Sequence, residues 1–399
     1  MTKKKRLTKP TLICLLAMLL TAVGPGMLAA TERTGKSTAI IAAGRPAVEV
    51  VFVLDTTGSM GGLIAAAKEK IWSIANTLAT ADPAPDIRMG LVGYRDRGDQ
   101  YVTVVTPLTE DLDAVYTNLM QFRADGGGDG PESVNQALYE AVNRPHWSRE
   151  PGTYRVIFLV GDAPPHMDYQ DDVQYAETCR LANKNDIVIN TIQCGSMAET
   201  TPVWRRIARL AEGQYFRVAQ SGSAVLYETP YDEPIAALSG KLDSTRIYYG
   251  DASHVAAMEE RKREADAIYE AAAPSAVAKR TIFNAGKAGT KNFLGSQELV
   301  DDVSSGRVAL EDVKEKELPE ELKGMSLQER KTFVADRGAE RRTLQKKIED
   351  LAAKRQTYIE EKVKQEAGEG AASLDAQIYR CIQAQAAEKE ITYSGGPAY

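Results

Sequence analysis

From residue 48 to residue 54 the chain reads Val-Glu-Val-Val-Phe-Val-Leu, closed by Asp55. A strand that is apolar on both faces must be covered on both, which is the situation of a central strand in a parallel sheet. The same near-continuous apolar pattern returns at residues 87–94, 154–160 and 187–192, with a short strand at 214–218. Residues 101–105 alternate less cleanly and read as an edge strand. Between these runs the apolar spacing turns helical. Residues 60–78 carry Leu63, Ala66, Ile71, Ile74 and Leu78 on one side, and residues 112–122, 131–142, 172–183 and 202–211 follow suit. A helix over 223–238 closes the unit. Strands alternating with helices predict an α/β fold, a doubly wound and mostly parallel sheet with helices on both faces. Ligands of such sheets bind beyond the carboxyl ends of the strands, near the switch point in strand order. The loops after Leu54, Phe122 and Val160 are therefore the ones that matter.

The chain has 399 residues and a net charge of −6, so it carries no basic excess to neutralise phosphates, and nucleic-acid binding is not expected. It opens Met-Thr-Lys-Lys-Lys-Arg, runs from Leu12 to Val23 almost without polar groups, breaks at Gly24-Pro25-Gly26 and ends in the small pair Ala29-Ala30. That is the pattern of a secretory signal peptide over 1–30, too short before its break to be a comfortable membrane anchor. The expected localisation is periplasmic or extracellular, with membrane attachment only if the peptide is left uncleaved. A polar linker over 31–46 precedes the α/β domain, assigned to 47–241. Cys179, Cys194 and Cys381 remain beyond the signal peptide. Cys179 on a helix and Cys194 at a strand end should sit at different heights, which argues against a bond between them.

Residues 242–399 change character, with charges nearly balanced in sign and few β-branched runs. Helices are expected at 253–273, at about 297–303 and at 374–388. Ser326-Leu-Gln-Glu329 is a capping box opening a long helix to about 367. Leu344, Ile348, Leu351, Tyr358, Ile359 and Val363 stripe that helix, although Arg355 interrupts a strict coiled-coil heptad. The region reads as a separable helical unit, or as a hairpin folded back on the first domain.

The first loop reads Asp55-Thr56-Thr57-Gly58-Ser59. A carboxylate and two hydroxyls at alternate positions above a strand end form a hard-oxygen set suited to Mg²⁺, Mn²⁺ or Ca²⁺. The second loop reads Gly126-Gly-Gly-Asp129-Gly-Pro-Glu132, and the third Gly161-Asp162-Ala-Pro-Pro-His166. Three loops thus bring Asp55, Asp129 and Asp162 to one sheet edge, where they repel unless a cation lies between them. The duller reading makes Asp55, Ser59 and Asp129 helix caps and His166 a solvated loop residue.

At these loops the chain resembles the von Willebrand factor type A family with its metal-ion-dependent adhesion site. The resemblance covers about residues 48–238. Asp55, Thr57 and Ser59 match the family's Asp-x-Ser/Thr-x-Ser loop, and Asp162 matches the aspartate after the fourth strand. Asp129 stands where the family usually has threonine, a departure that resembles the hemicentin-like branch. The resemblance implies Thr57 and Ser59 as direct ligands of the cation. Asp55, Asp129 and Asp162 would complete its shell, and a protein partner's acidic residue would take an open position. It implies a metal-dependent adhesion or scaffolding module. Asp129 adds a negative charge that weakens the metal's pull on such an acidic ligand.

An enzyme is the rival class. Thr57-Gly58-Ser59-Met60-Gly61 approaches a nucleophile elbow, but Thr57 replaces its first glycine. Of the three histidines, His146, His166 and His254, none lies in a late strand–helix loop. A phosphate-cradling Gly-x-x-x-x-Gly-Lys motif is absent. No catalytic role is expected, so a hydrolase stands only as an alternative. A co-chaperone subunit of an ATP-driven assembly, the other alternative, conflicts with export.

Overall fold

The computed structural model describes residues 45–128, 130–219, 227–366, 374–393 and 396. The signal-peptide assignment, the linker up to residue 44 and Asp129 therefore lie outside the described residues, as do the side chains of Leu63 and Ala66. The α/β part comprises β1 (Ala47–Asp55), α1 (Gly61–Ala79), β2 (Ala81–Asp82), β3 (Asp86–Tyr94), β4 (Thr103–Thr109), α2 (Leu112–Gln121) and α3 (Val134–Asn143). It continues with β5 (Tyr154–Gly161), α4 (Tyr175–Lys184), β6 (Ile187–Cys194), α5 (Thr200–Leu210) and β7 (Tyr215–Val218). Beyond these come α6 (Asp232–Asp243), α7 (Ala252–Ala271), α8 (Pro274–Ala285), α9 (Thr290–Leu294), α10 (Leu299–Ser304), α11 (Leu327–Glu366), α12 (Leu374–Ala387) and β8 (Thr392–Tyr393).

The main sheet has the order β4-β3-β1-β5-β6-β7. All its pairs are parallel except β3 with the edge strand β4. Strand order reverses between β1 and β5, so the carboxyl ends of those two strands flank the crevice where ligands of such folds bind. The register places Leu54 opposite Val160 there. The expected doubly wound sheet is thus present, with the strands where the two-faced apolar runs placed them.

Burial explains why β1 tolerates so little polarity. Val48, Val50, Phe52 and Leu54 belong to one apolar cluster with α1 and α2, including Trp72 and Tyr116. Val51 and Val53 belong to the opposite cluster with α3, α4 and α5, including Leu138, Cys179 and Trp204. Alternate residues serve opposite faces, as strand pleating requires. Glu49 is the exception, buried at the far end of the sheet and bonded to Arg88 at 2.6 Å. Cys179, Cys194 and Cys381 are all buried and unpaired.

Two local expectations shift. The helix expected from Pro131 begins at Val134 with Ser133 at its N-cap. The helix expected over 223–238 lies instead at Asp232–Asp243, as α6, with residues 220–226 outside the described set. Its buried Ile235, Leu238 and Leu242 cluster with Ala278, Phe293 and Ile348 of the helical region, not with the sheet.

The helical region packs against the α/β part, residues 44–399 forming one compact body. Phe283 of α8, with Ile378, Cys381, Ile382 and Ala386 of α12, sits in the same cluster as β1, β5 and β6. Tyr154 Oη donates to Gln385 at 2.7 Å, and the amides of Asn190 and Gln385 exchange bonds of 2.9 and 3.1 Å. Asp113 on α2 forms two bonds of 2.6 Å with Arg280 on α8, both side chains being buried. The capping box closes as expected, with Ser326 N–H donating to Glu329 at 2.8 Å. Arg355, which interrupts the heptad, is buried and donates to Asp232 at 2.7 Å. The long helix is therefore packed within its own chain. Among the described residues no helix is long and apolar enough to cross a membrane.

Candidate metal centre at the carboxyl edge of the sheet

β1 ends in the buried Asp55, and the chain then turns through a short 3-10 segment into α1. The turn is held by Asp55 itself. Its Oδ1 accepts the Thr57 N–H at 2.9 Å and the Thr57 hydroxyl at 2.6 Å. Thr57 Oγ1 lies 3.4 Å from Ser59 Oγ. Three oxygens from alternate residues thus converge, with spacings near the roughly 3 Å expected between neighbouring ligands of an ion bound at about 2.1 Å. The N-cap positions of the 3-10 segment and of α1 fall on Thr57 and Met60, not on Asp55 or Ser59. Asp55 Oδ2 is buried beside the Tyr94 hydroxyl and makes no well-formed hydrogen bond.

Main-chain bonds join the neighbouring loops to this turn. Gly58 N–H donates to Gly126 O at 3.1 Å, and Asp125 N–H to Thr56 O at 3.2 Å. Gly126 and Gly127 both have left-handed backbones, φ +78° and +77°, which glycine adopts without a Cβ penalty. A Cβ at Gly127 would stand 3.1 Å from Thr57 Cβ and 3.2 Å from Glu132 Oε1. Glu132 is then stitched to the β5 loop, its N–H donating to Pro164 O at 2.9 Å and its carbonyl accepting from His166 N–H at 3.0 Å. Asp162 follows β5 directly and is buried, its carbonyl accepting the Thr200 hydroxyl at 2.7 Å.

Residues 49–230 match the family model described as von Willebrand factor A domain. The chain carries a von Willebrand factor A domain. Over 97 residues it is 38% identical to von Willebrand factor A domain-containing protein 7 of Homo sapiens, covering 24% of this chain and 10% of that one. Over 120 residues it is 28% identical to an alpha-protein kinase of Dictyostelium discoideum, covering 30% of this chain and 19% of the other. The chain thus spans only a tenth to a fifth of these curated relatives. The solved SpRpn10 VWA domain is similar at 13% identity and a TM-score of 0.34, over 44% of this chain and 89% of that one.

In this A domain the acids at the edge are electrostatically costly. Burial, with the charge of Asp162 nearby, pushes the Asp55 carboxyl up to about 7 against the pull of the Thr57 bonds and the Tyr94 hydroxyl. Burial also pushes Glu132 up to about 9, reinforced by Asp55, Asp96, Asp99 and Asp162. The buried Arg95 does not relieve them. Its N–H groups go to Thr56 O at 3.2 Å and Arg123 O at 2.8 Å. Among the described residues no three His, Cys, Asp or Glu side chains are grouped to hold an ion by themselves. A cation here would need the Thr57 and Ser59 hydroxyls and water as well. The donor set and the Oδ2 of Asp55 fit a hard divalent ion in that mixed shell.

Of the five residues read from sequence, Asp55, Thr57 and Ser59 share one turn and Asp162 faces them across the crevice, while Asp129 is not described. Sequence reasoning gave Glu132 no role beyond ending the second loop. It also missed Asp96, which accepts from Ser133 at 2.9 Å and from Tyr169 at 2.9 Å. His166 is not a solvated loop residue: it is buried, stacked on Tyr169 at 4.1 Å and bonded to Asp168 at 2.8 Å. The only advance signal was that these acids and aromatics cluster in loops at one strand end.

Proposed function

We propose that this protein is an exported, non-catalytic interaction module whose A domain holds one divalent cation, Mg²⁺, Ca²⁺ or Mn²⁺, at the β1–β5 crevice. Asp55, Thr57 and Ser59 would supply its near side, with Asp162 and Asp129 completing the shell. A domains are in general protein-interaction modules and often bind such ions. A protein partner's carboxylate would then complete the metal shell from above. The observation that carries this reading is the buried Asp55 carboxyl, whose Oδ1 is spent on Thr57 and whose Oδ2 has, among the described residues, only the neutral Tyr94 hydroxyl beside it. Such an atom is expensive to bury unless something charged meets it. Export is supported by the basic start and the apolar run from Leu12 to Val23. N-terminal sequencing from the native host should find the chain cut near Ala29 or Ala30, and an intact Met1 would refute export.

Melting temperatures in EDTA and in each cation test the site. A cation bound to the folded state alone should add about 2.7 kcal/mol at a hundred times its Kd. Asp55→Ala should lose that gain yet remain folded in EDTA, and Thr57→Val should lose part of it. A wild type that no cation stabilises would end the metal reading. An Asp55→Ala variant that responds like wild type would move the metal elsewhere.

A further inference from the structure

β4 ends the main sheet on the side opposite β7, and the run from Tyr101 to Thr109 that contains it has no charged residue. Arg95 N–H donates to Val102 O at 3.0 Å, and the register sets Gly93 opposite Val104 and Leu91 opposite Thr106. Hydrogen-bonded pairs alternate along an antiparallel ladder, so Val104 and Thr106 turn their main-chain groups to β3, whereas Thr103 and Val105 turn theirs outward. Among the described residues nothing bonds to those outward groups. Sheet edges are ordinarily guarded by charge, proline or a bulge. Here Pro107 and the register shift between Met89 and Leu91 guard only the half near Thr109, and the half nearer the crevice stays open.

That open half borders a groove of about 370 Å³ between β4 and α2. Val104, 40% exposed, and Phe122 give the groove apolar surface. Asn118, Gln121 and Arg123 also line it, and their side chains make no hydrogen bond or ion pair among the described residues. The lining holds two arginines, Arg95 and Arg123, and no Asp or Glu. Asp125 reaches Arg95 only at 3.9 Å. Lys68, close to Arg123, donates to the carbonyls of Met120 and Phe122 at 3.2 and 3.1 Å rather than to an acid. The edge thus offers main-chain donors and acceptors in alternation, which another strand satisfies, beside a positive charge without a counterpart.

We propose that β4 pairs with an extended, acidic segment of a protein partner, which adds a seventh strand to the main sheet. The segment's main-chain groups meet those of Thr103 and Val105, an apolar side chain enters the groove at Val104 and Phe122, and an Asp or Glu meets Arg123. In such pairing the main-chain bonds supply affinity and the groove selects side chains. The inference goes beyond the cation reading and does not rest on it, so binding persists in EDTA.

The test is selection of short peptides from a random displayed library on the full-length protein in EDTA, followed by titration of the selected peptides by fluorescence anisotropy. Selected sequences should alternate apolar and polar residues and carry Asp or Glu. Val105→Pro removes one outward N–H without touching the ladder to β3, and should weaken binding about 5- to 10-fold. Arg123→Glu should weaken it by a similar factor, and more at low salt. If Val105→Pro does not fold, the peptide carries the test instead. N-methylation of one alternate set of its amides should abolish binding, and of the other set should spare it. A library that yields no binder, selected peptides without acids, an unchanged Kd in Arg123→Glu or in folded Val105→Pro, or the same effect of N-methylation at both sets would each overturn the proposal. So would a wild type that sediments as a dimer while Val105→Pro is a monomer, which gives the edge to a second copy of the chain. None of these outcomes bears on the cation, which the melts in EDTA and in each ion decide.

Discussion

Asp55, Thr57 and Ser59 were legible because residues two apart at a strand end point the same way, and the structure brings their oxygens to within 2.6 and 3.4 Å of one another. Glu132 and His166 were not, because their burial is created by loops closing over each other and leaves no period in the sequence. The same closure predicts a pH dependence. The folded protein holds protons on Asp55 up to about 7 and on Glu132 up to about 9, where the unfolded chain has already lost them. Stability without a cation should therefore fall as pH rises from the ordinary carboxylate range through these values. A cation competes with those protons, so its stabilising effect should grow over the same window. Thermal melts at pH 5, 7 and 8.5, with EDTA and with Mn²⁺, measure this directly. A cation-induced gain as large at pH 5 as at pH 8.5 would mean these carboxylates are not where the ion binds.

At the scale of elements, the central strands were the most legible part, because covering both faces demands apolar residues at consecutive positions. Helices were placed less well where a polar contact decides them. Arg355 read as a fault in the stripe of α11, yet it is the buried partner of Asp232 on α6. Arg280 on α8, which no motif marks in the sequence, bridges Asp113 on α2 and Asp243 on α6. Burial raises the Asp113 carboxyl, but Arg280 outweighs it and holds the group below its usual range. Arg280→Met strands the buried Asp113 carboxylate, while Asp243 keeps Arg246 at 2.7 Å, and removing one partner of a buried pair costs about 3–5 kcal/mol. Urea denaturation should show that loss as a lower midpoint with an unchanged slope. A loss under about 1 kcal/mol would mean water reaches the pair and the junction is loose.

For the whole molecule, the alternation of strands and helices foretold the A domain but not the way the helical region completes it. Ile378, Ile382 and Ala386 of α12 reach the cluster beneath β5 and β6, and Asn190, a polar residue inside an apolar strand, finds its amide partner in Gln385. A polar side chain within a strand run carries no sign of a partner so distant along the chain. A protein ending at Lys241 should thus expose the apolar face that α8 and α12 cover. It should be insoluble, or compact with no near-ultraviolet dichroism and no cooperative melt. A sharp two-state melt of that shortened protein would show that the helices are dispensable. The placement of α12 also bears on synthesis. Every strand of the main sheet leaves the ribosome well before the segment that seals one of its faces. A nascent chain of this design cannot lock its native core during translation, and so stays open to whatever holds or threads unfolded chains until synthesis has passed α12.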